Sequence, residues 1–282
     1  MDDAQRRTPA LPGGTRYVAT RHGRIAYSDT DPEGTSPGTP LLFVHGNSSS
    51  RKVFHAQLAD DFGPRRLLAL DLPGHGESDD ATDPAAAYTQ RGYAATITEF
   101  LGTLGVDRAV VVGWSLGGHI GLELIPLFPG LAGLVVTGTP PVNRETLADG
   151  FLPALGHAGA EHITPAQAAE FAGQISVTPP PAWVVDDVTR TDGRARRLMF
   201  ESFAAGRDSD QKELVAVSPV PLAVIDGRDD PFINHAYVAS LPYAALWRGA
   251  PTLLEGSRHA SFLEAPAAYD DLLRAFLTDH GL

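Results

Sequence analysis

Three β-branched residues, Val110, Val111 and Val112, run without interruption into Gly113-Trp114-Ser115-Leu116-Gly117, and apolar residues at helical spacing follow in Ile120, Leu122, Leu124, Ile125 and Phe128. A buried strand, a turn too tight for side chains at its flanks and a helix, in immediate succession, leave a chain few architectures to choose from. Glycine at 113 and 117 fits because a Cβ at either place would clash across such a turn. Ser115 is then expected in a strained backbone conformation, its hydroxyl standing off the end of the sheet over the positive end of the following helix. In a chain with 29 glycines the five-residue pattern alone could arise by chance, so the flanking strand and helix carry the reading.

The rest of the chain repeats that alternation. Tyr17 to Thr20 and Arg24 to Tyr27 read as a hairpin around His22-Gly23. Leu41 to Val44, Leu67 to Leu70, Leu134 to Val136, Pro221 to Ile225 and Pro251 to Leu254 are short continuous apolar runs, as in strands buried on both faces of a parallel sheet. Thr89 is placed to cap a helix carrying Tyr93, Ile97, Phe100, Leu101 and Leu104, and Pro266 opens a last helix carrying Tyr269, Leu272, Leu273, Phe276 and Leu277. Strands alternating with helices argue for a parallel sheet covered on both sides, with ligands held beyond the carboxyl ends of the strands.

Between Gly138 and Val217 no long apolar strand appears. Thr164-Pro165-Ala166-Gln167 carries the signature of a capped helix start, and helices are expected from Ala182 to Arg190 and from Arg194 to Ala205 after the Pro179-Pro180-Pro181 break. This all-helical stretch, residues 138–217, is expected to form a cap over a core made of 1–137 and 218–282. Its arginines from Arg190 to Arg197 are read as a solvated helix face.

Composition bounds the chemistry. With 282 residues the chain can bury a large core in one domain, and a formal net charge of −12 argues against nucleic acid or an anionic membrane surface as partner. The absence of cysteine excludes disulfides, thiolate metal sites and a cysteine nucleophile. Met1 to Arg7 opens acidic, without the apolar core of a secretion signal, and no stretch reaches the length of a membrane span, so a cytoplasmic protein is expected, monomer or homodimer, with no cofactor and no metal.

A serine hydroxyl is a poor nucleophile until a base takes its proton, and that base needs a carboxylate to orient it. After Ser115 and the helical stretch, one strand ends in Asp226-Gly227-Arg228-Asp229-Asp230-Pro231-Phe232 and the next in Glu255-Gly256-Ser257-Arg258-His259. Serine, acid and histidine thus fall in the required order at successive strand ends. Asp230 is preferred as the acid, since Asp226 is still on the strand, and Asp229 is the alternative. Of ten histidines only His259 combines a late strand end with this order. Two fixed donors are needed for an oxyanion: the backbone N–H of Leu116, and that of Asn47 in the loop after His45-Gly46.

With these residues in hand the chain resembles the α/β-hydrolase fold family over nearly its full length. His45-Gly46-Asn47-Ser48-Ser49-Ser50, Asp71-Leu72-Pro73-Gly74-His75-Gly76, Gly113 to Gly121, Thr137-Gly138-Thr139-Pro140-Pro141-Val142, Arg190 to Arg197 and Gly227 to Phe232 together resemble its N-acyl-homoserine lactonase branch, metal-free enzymes that open the lactone ring of quorum-sensing signals. The resemblance implies an α/β-hydrolase fold, a mostly parallel β-sheet flanked by helices with the helical cap inserted after the sixth strand, and cleavage of a small-molecule ester or lactone. Two positions depart from the branch. Asp230 stands where the lactonases carry glutamate, and Phe171 stands where their lid carries a tyrosine able to hydrogen-bond substrate. Trp114, Phe151, Phe171, Trp183, Met199 and Phe203 are the apolar candidates for an acyl pocket. Another ester, a thioester or a carbon–carbon bond beside a carbonyl is the second reading, and a non-catalytic ligand-binding protein the third.

Overall fold

The computed structural model describes residues 8–153, 156–177 and 179–282, so the acidic opening Met1 to Arg7 lies outside the described residues. Its eight strands are β1 Arg16–Thr20, β2 Gly23–Asp29, β3 Gly38–Val44, β4 Arg65–Leu70, β5 Ala109–Trp114, β6 Leu131–Thr137, β7 Leu222–Gly227 and β8 Thr252–Leu254. They form one sheet in the order β1-β2-β4-β3-β5-β6-β7-β8. β1 pairs antiparallel with β2 and β2 with β4; every other pair is parallel. The valine run explains the central position of β5: all its residues are buried, as a strand covered by helices on both faces requires.

Register decides what this sheet can do. Val44 pairs with Gly113, Gly113 with Val136 and Val136 with Val224, so β3, β5, β6 and β7 end nearly level. The residues that follow each strand therefore share one rim.

Helices α1 His55–Ala59, α2 Pro84–Ala87, α3 Gln90–Thr103 and α4 Leu116–Leu127 join the first strands. Between β6 and β7 lie α5 Leu147–Gly150, α6 Pro165–Ile175, α7 Ala182–Arg190, α8 Gly193–Ala204 and α9 Gln211–Val217, and α10 His235–Ser240, α11 Ser261–Glu264 and α12 Pro266–Asp279 complete the chain. The Thr164 hydroxyl accepts from Gln167 N and the Gln167 side chain from Thr164 N, the reciprocal cap that its sequence signature predicts. α5 and α9, with 4 and 7 residues, escape the sequence reading because neither is long enough to display a helical period.

The β6–β7 segment is tied to the sheet by polar contacts. Asp187 of α7 accepts from Lys52 Nζ at 2.6 Å and Ser50 Oγ at 2.5 Å, Asp192 accepts from Tyr88 Oη at 2.8 Å, and Asn47 Nδ2 donates to Ala158 O at 2.8 Å. The arginine cluster is solvated at Arg190 and Arg194 and half-buried at Arg197, and each of these three is ion-paired. Arg190 pairs with Asp80, Arg194 with Asp192 and Arg197 with Glu161 and Glu201. Arg196 is buried, with its guanidinium on the carbonyls of Ala160 and Val188. Carbonyls that terminate neighbouring segments need donors, and a buried arginine supplies several at once.

Candidate active site

The turn after β5 holds Ser115 at φ 53°, ψ −117°, in the left-handed region that a non-glycine residue adopts at a cost of about 1–3 kcal/mol. Backbone contacts enforce it: Ser115 N donates to Thr137 O at 2.8 Å, and Ser115 O accepts from Gly118 N at 2.9 Å and Thr139 Oγ1 at 2.9 Å. The flanking glycines have no room for a side chain, since a Cβ on Gly113 would meet Gly117 O at 2.4 Å and one on Gly117 would meet Val44 O at 2.0 Å.

Past β7 and β8 the other two groups of the sequence reading come together. His259 Nδ1 lies 2.8 Å from Asp230 Oδ2, and both side chains are buried. The second carboxylate oxygen, Asp230 Oδ1, accepts from Phe232 N at 2.9 Å, and the Phe232 ring meets the imidazole edge to face with centroids 4.8 Å apart. Trp114 Nε1 donates to His259 O at 2.9 Å, tying the histidine loop to the residue before Ser115. Gly138 passes beneath the imidazole, where a Cβ would meet His259 Cε1 at 2.6 Å. Asp229, the alternative acid, is exposed. Asp226 is buried and accepts from Gly138 N at 2.7 Å, so it fixes the backbone under the imidazole rather than the imidazole itself. Burial pushes the Asp226 carboxyl above the usual range, and the neighbouring carboxylate raises His235 in turn.

Asn47 and Leu116 border the same space, and among the described residues neither backbone N–H is taken by a protein acceptor. His45 holds the Asn47 loop, accepting from Leu72 N through Nε2 at 3.0 Å, and burial lowers its pKa to about 4.

Ser115 and His259 open onto a cavity of about 190 Å³. Of the aromatic and methionine candidates, Trp114, Phe151, Phe171, Met199 and Phe203 line it. Trp183 does not: it is buried edge-on against His55 at the start of α1. The sequence reading passed over Gln90, His119, Leu147, Ile175, Phe200 and Phe232, all of which line the cavity. Two had a signal: His119 is one helical turn beyond Ser115 on α4, and Ile175 one turn beyond Phe171 on α6. Among the described residues no group of three or more histidine, aspartate or glutamate side chains is gathered as a metal ion would need, and no helix is long and apolar enough to cross a membrane.

The arrangement has counterparts in known proteins. A family model described as "Alpha/beta hydrolase family" matches residues 41–272. The solved structure of the N-acyl homoserine lactonase AidH complexed with N-butanoyl homoserine is 43% identical and superposes with a TM-score of 0.90 over 95% of this chain and 97% of that one. A putative aryl esterase from Burkholderia cenocepacia, 22% identical, shares the fold with a TM-score of 0.74 over 97% of this chain and 98% of its own. The uncharacterized protein Rv2715 of Mycobacterium tuberculosis is 27% identical over 269 residues, 85% of this chain and 75% of its own length.

Proposed function

This chain belongs to the alpha/beta hydrolase family, and from that premise we propose that it hydrolyses a carboxylic ester or lactone through an acyl-enzyme on Ser115, with N-acyl homoserine lactones as the substrate class. The observation that carries the proposal is the buried His259–Asp230 hydrogen bond at 2.8 Å on the wall of an apolar cavity that also receives Ser115. The Asp230 carboxylate accepts a hydrogen bond from Nδ1–H, which leaves Nε2 as the basic face of the ring.

In the proposed reaction His259 Nε2 takes the Ser115 hydroxyl proton as Oγ attacks the substrate carbonyl. The Leu116 and Asn47 N–H groups stabilise the tetrahedral oxyanion, the alcohol leaves with the proton from His259, and water activated by the same imidazole releases the acid. For a lactone the leaving alcohol stays attached, so ring opening and acyl transfer are one event. Residues 138–217 act as the cap, and the phenyl rings of Phe151, Phe171 and Phe203 with the Met199 thioether receive the acyl chain.

The 43% identity to the lactonase supports the lactone as substrate. Phe171 favours the second reading, a simple alkyl or aryl ester, because its ring brings no hydroxyl to the cavity where the related lid brings a tyrosine. A panel of N-acyl homoserine lactones and aryl esters, assayed for acid release, separates them. The proposal expects kcat/KM for the lactones to exceed that for the aryl esters, and Ser115→Ala to lose at least about 10⁴-fold in kcat on both while keeping its Tm. Equal or higher turnover of aryl esters moves the substrate to the second reading. Full activity without the Ser115 hydroxyl overturns the mechanism.

A further inference from the structure

The cavity has one polar wall that the proposed chemistry leaves unused. It is built by His119 on α4, Gln90 at the start of α3 and Gln211 at the start of α9, each buried. His119 Nδ1 lies 2.8 Å from Gln211 Oε1, and Gln211 Nε2 donates to Gln90 Oε1 at 2.8 Å. An amide oxygen can only accept, so Nδ1 carries the imidazole proton and Nε2 presents a lone pair. Burial brings His119 to about 4, which keeps the ring neutral at physiological pH. At the other end of the relay Gln90, 1% exposed, has an Nε2 with no hydrogen-bond partner. Gln90 and His119 line the cavity and Gln211 stands behind them. A buried amide N–H left unpaired is costly, and such a group in a binding cavity is matched when a ligand brings the acceptor.

We propose that Gln90 and His119, locked in orientation by Gln211, form a recognition subsite for a secondary amide carried by the substrate: Gln90 Nε2 donates to the amide carbonyl, and the amide N–H donates to His119 Nε2. Turning both glutamine amides over exchanges the two roles but still leaves one donor and one acceptor, so complementarity to an amide holds in either proton order. An ester, a ketone or an alkyl chain satisfies at most one of the two. Every other side chain on the cavity wall, apart from Asn47, Ser115 and His259, is apolar or aromatic, so an amide elsewhere would lose its hydrogen bonds with water. The subsite deepens the hydrolase reading and rests on it only in assigning the ester end of the ligand to Ser115.

The test uses equilibrium binding in the Ser115→Ala background, so that nothing turns over, with N-butylhexanamide as the amide probe and pentylbenzene as the apolar reference. Gln90→Leu is expected to lower the amide-to-hydrocarbon preference by about 10-fold. Gln211→Met should do the same although its side chain does not reach the cavity, which marks Gln211 as a positioning residue. If Gln90→Leu does not fold, the isosteric Gln90→Met serves in its place. A purely structural relay would weaken both probes equally, and an unchanged preference in both variants overturns the subsite. Ester turnover by the wild-type protein with an unchanged preference leaves the hydrolase reading standing without the subsite. A shifted preference without any turnover does the reverse.

Discussion

At Ser115 the backbone stores strain that the surrounding contacts over-determine, and the same device recurs around His259. Gly138 gives the imidazole its space, Asp226 holds the Gly138 amide, and Asp230 occupies Nδ1, so the ring is fixed from below and behind. Asp230→Asn keeps the shape and one acceptor oxygen but can present its NH₂ to Nδ1, which favours the wrong tautomer. We expect kcat to fall by about 10⁴-fold with Tm little changed, checked by steady-state kinetics beside a thermal melt. A loss below about 10-fold would mean that another group orients the base. Asp229 and Asp230 differ by one residue in their distance from Gly227, yet the turn leaves the first exposed and buries the second.

Elements set which side chains meet the cavity. α6 presents Phe171 and Ile175 to it and begins at an exposed reciprocal cap, in which Thr164 Oγ1 accepts from Gln167 N at 3.3 Å and Gln167 Oε1 from Thr164 N at 2.8 Å. Thr164→Ala removes half of that exchange and should cost the helix about 1 kcal/mol. Amide hydrogen exchange over residues 166–170 should then speed up about 5-fold while β5 is unaffected, and unchanged protection would show that tertiary packing alone holds the helix. α7 makes the opposite point. Its periodicity marks Trp183 as buried but not what it is buried against, because the direction an amphipathic face points depends on how the helix is docked. Lys52, Ser50 and Asp187 do that docking from distant parts of the chain.

Across the whole molecule, a buried acid that does not line the cavity makes stability depend on pH. Asp270 on α12 is pushed up to about 7, chiefly by burial, while its Oδ1 accepts from Gln57 Nε2 at 3.0 Å. A carboxyl whose folded pKa exceeds its unfolded value stabilises the fold fully below the ordinary carboxylate range, and that stabilisation is lost as pH rises through about 7. Asp270→Asn cannot ionise, so the Tm difference, wild type minus variant, should fall between pH 4 and pH 8. A flat difference across that window would place the pH dependence elsewhere. The covered parallel sheet makes such a site possible, since a core with helices on both faces excludes water from carboxyls it happens to enclose.

The sequence by itself determined the features written in short, contiguous patterns: the buried strands, the glycine-flanked turn around Ser115, the capped start of α6, and the succession of serine, acid and histidine at strand ends. These are local because strand burial, turn sterics and capping act within a few residues. Only the tertiary structure decided which acid turns inward, that Trp183 packs on His55 of α1, and that Gln90, His119 and Gln211 meet in one relay. Those contacts join residues from separate helices, and the rotation of each helix about its axis is set by packing, which no single stretch of the chain contains.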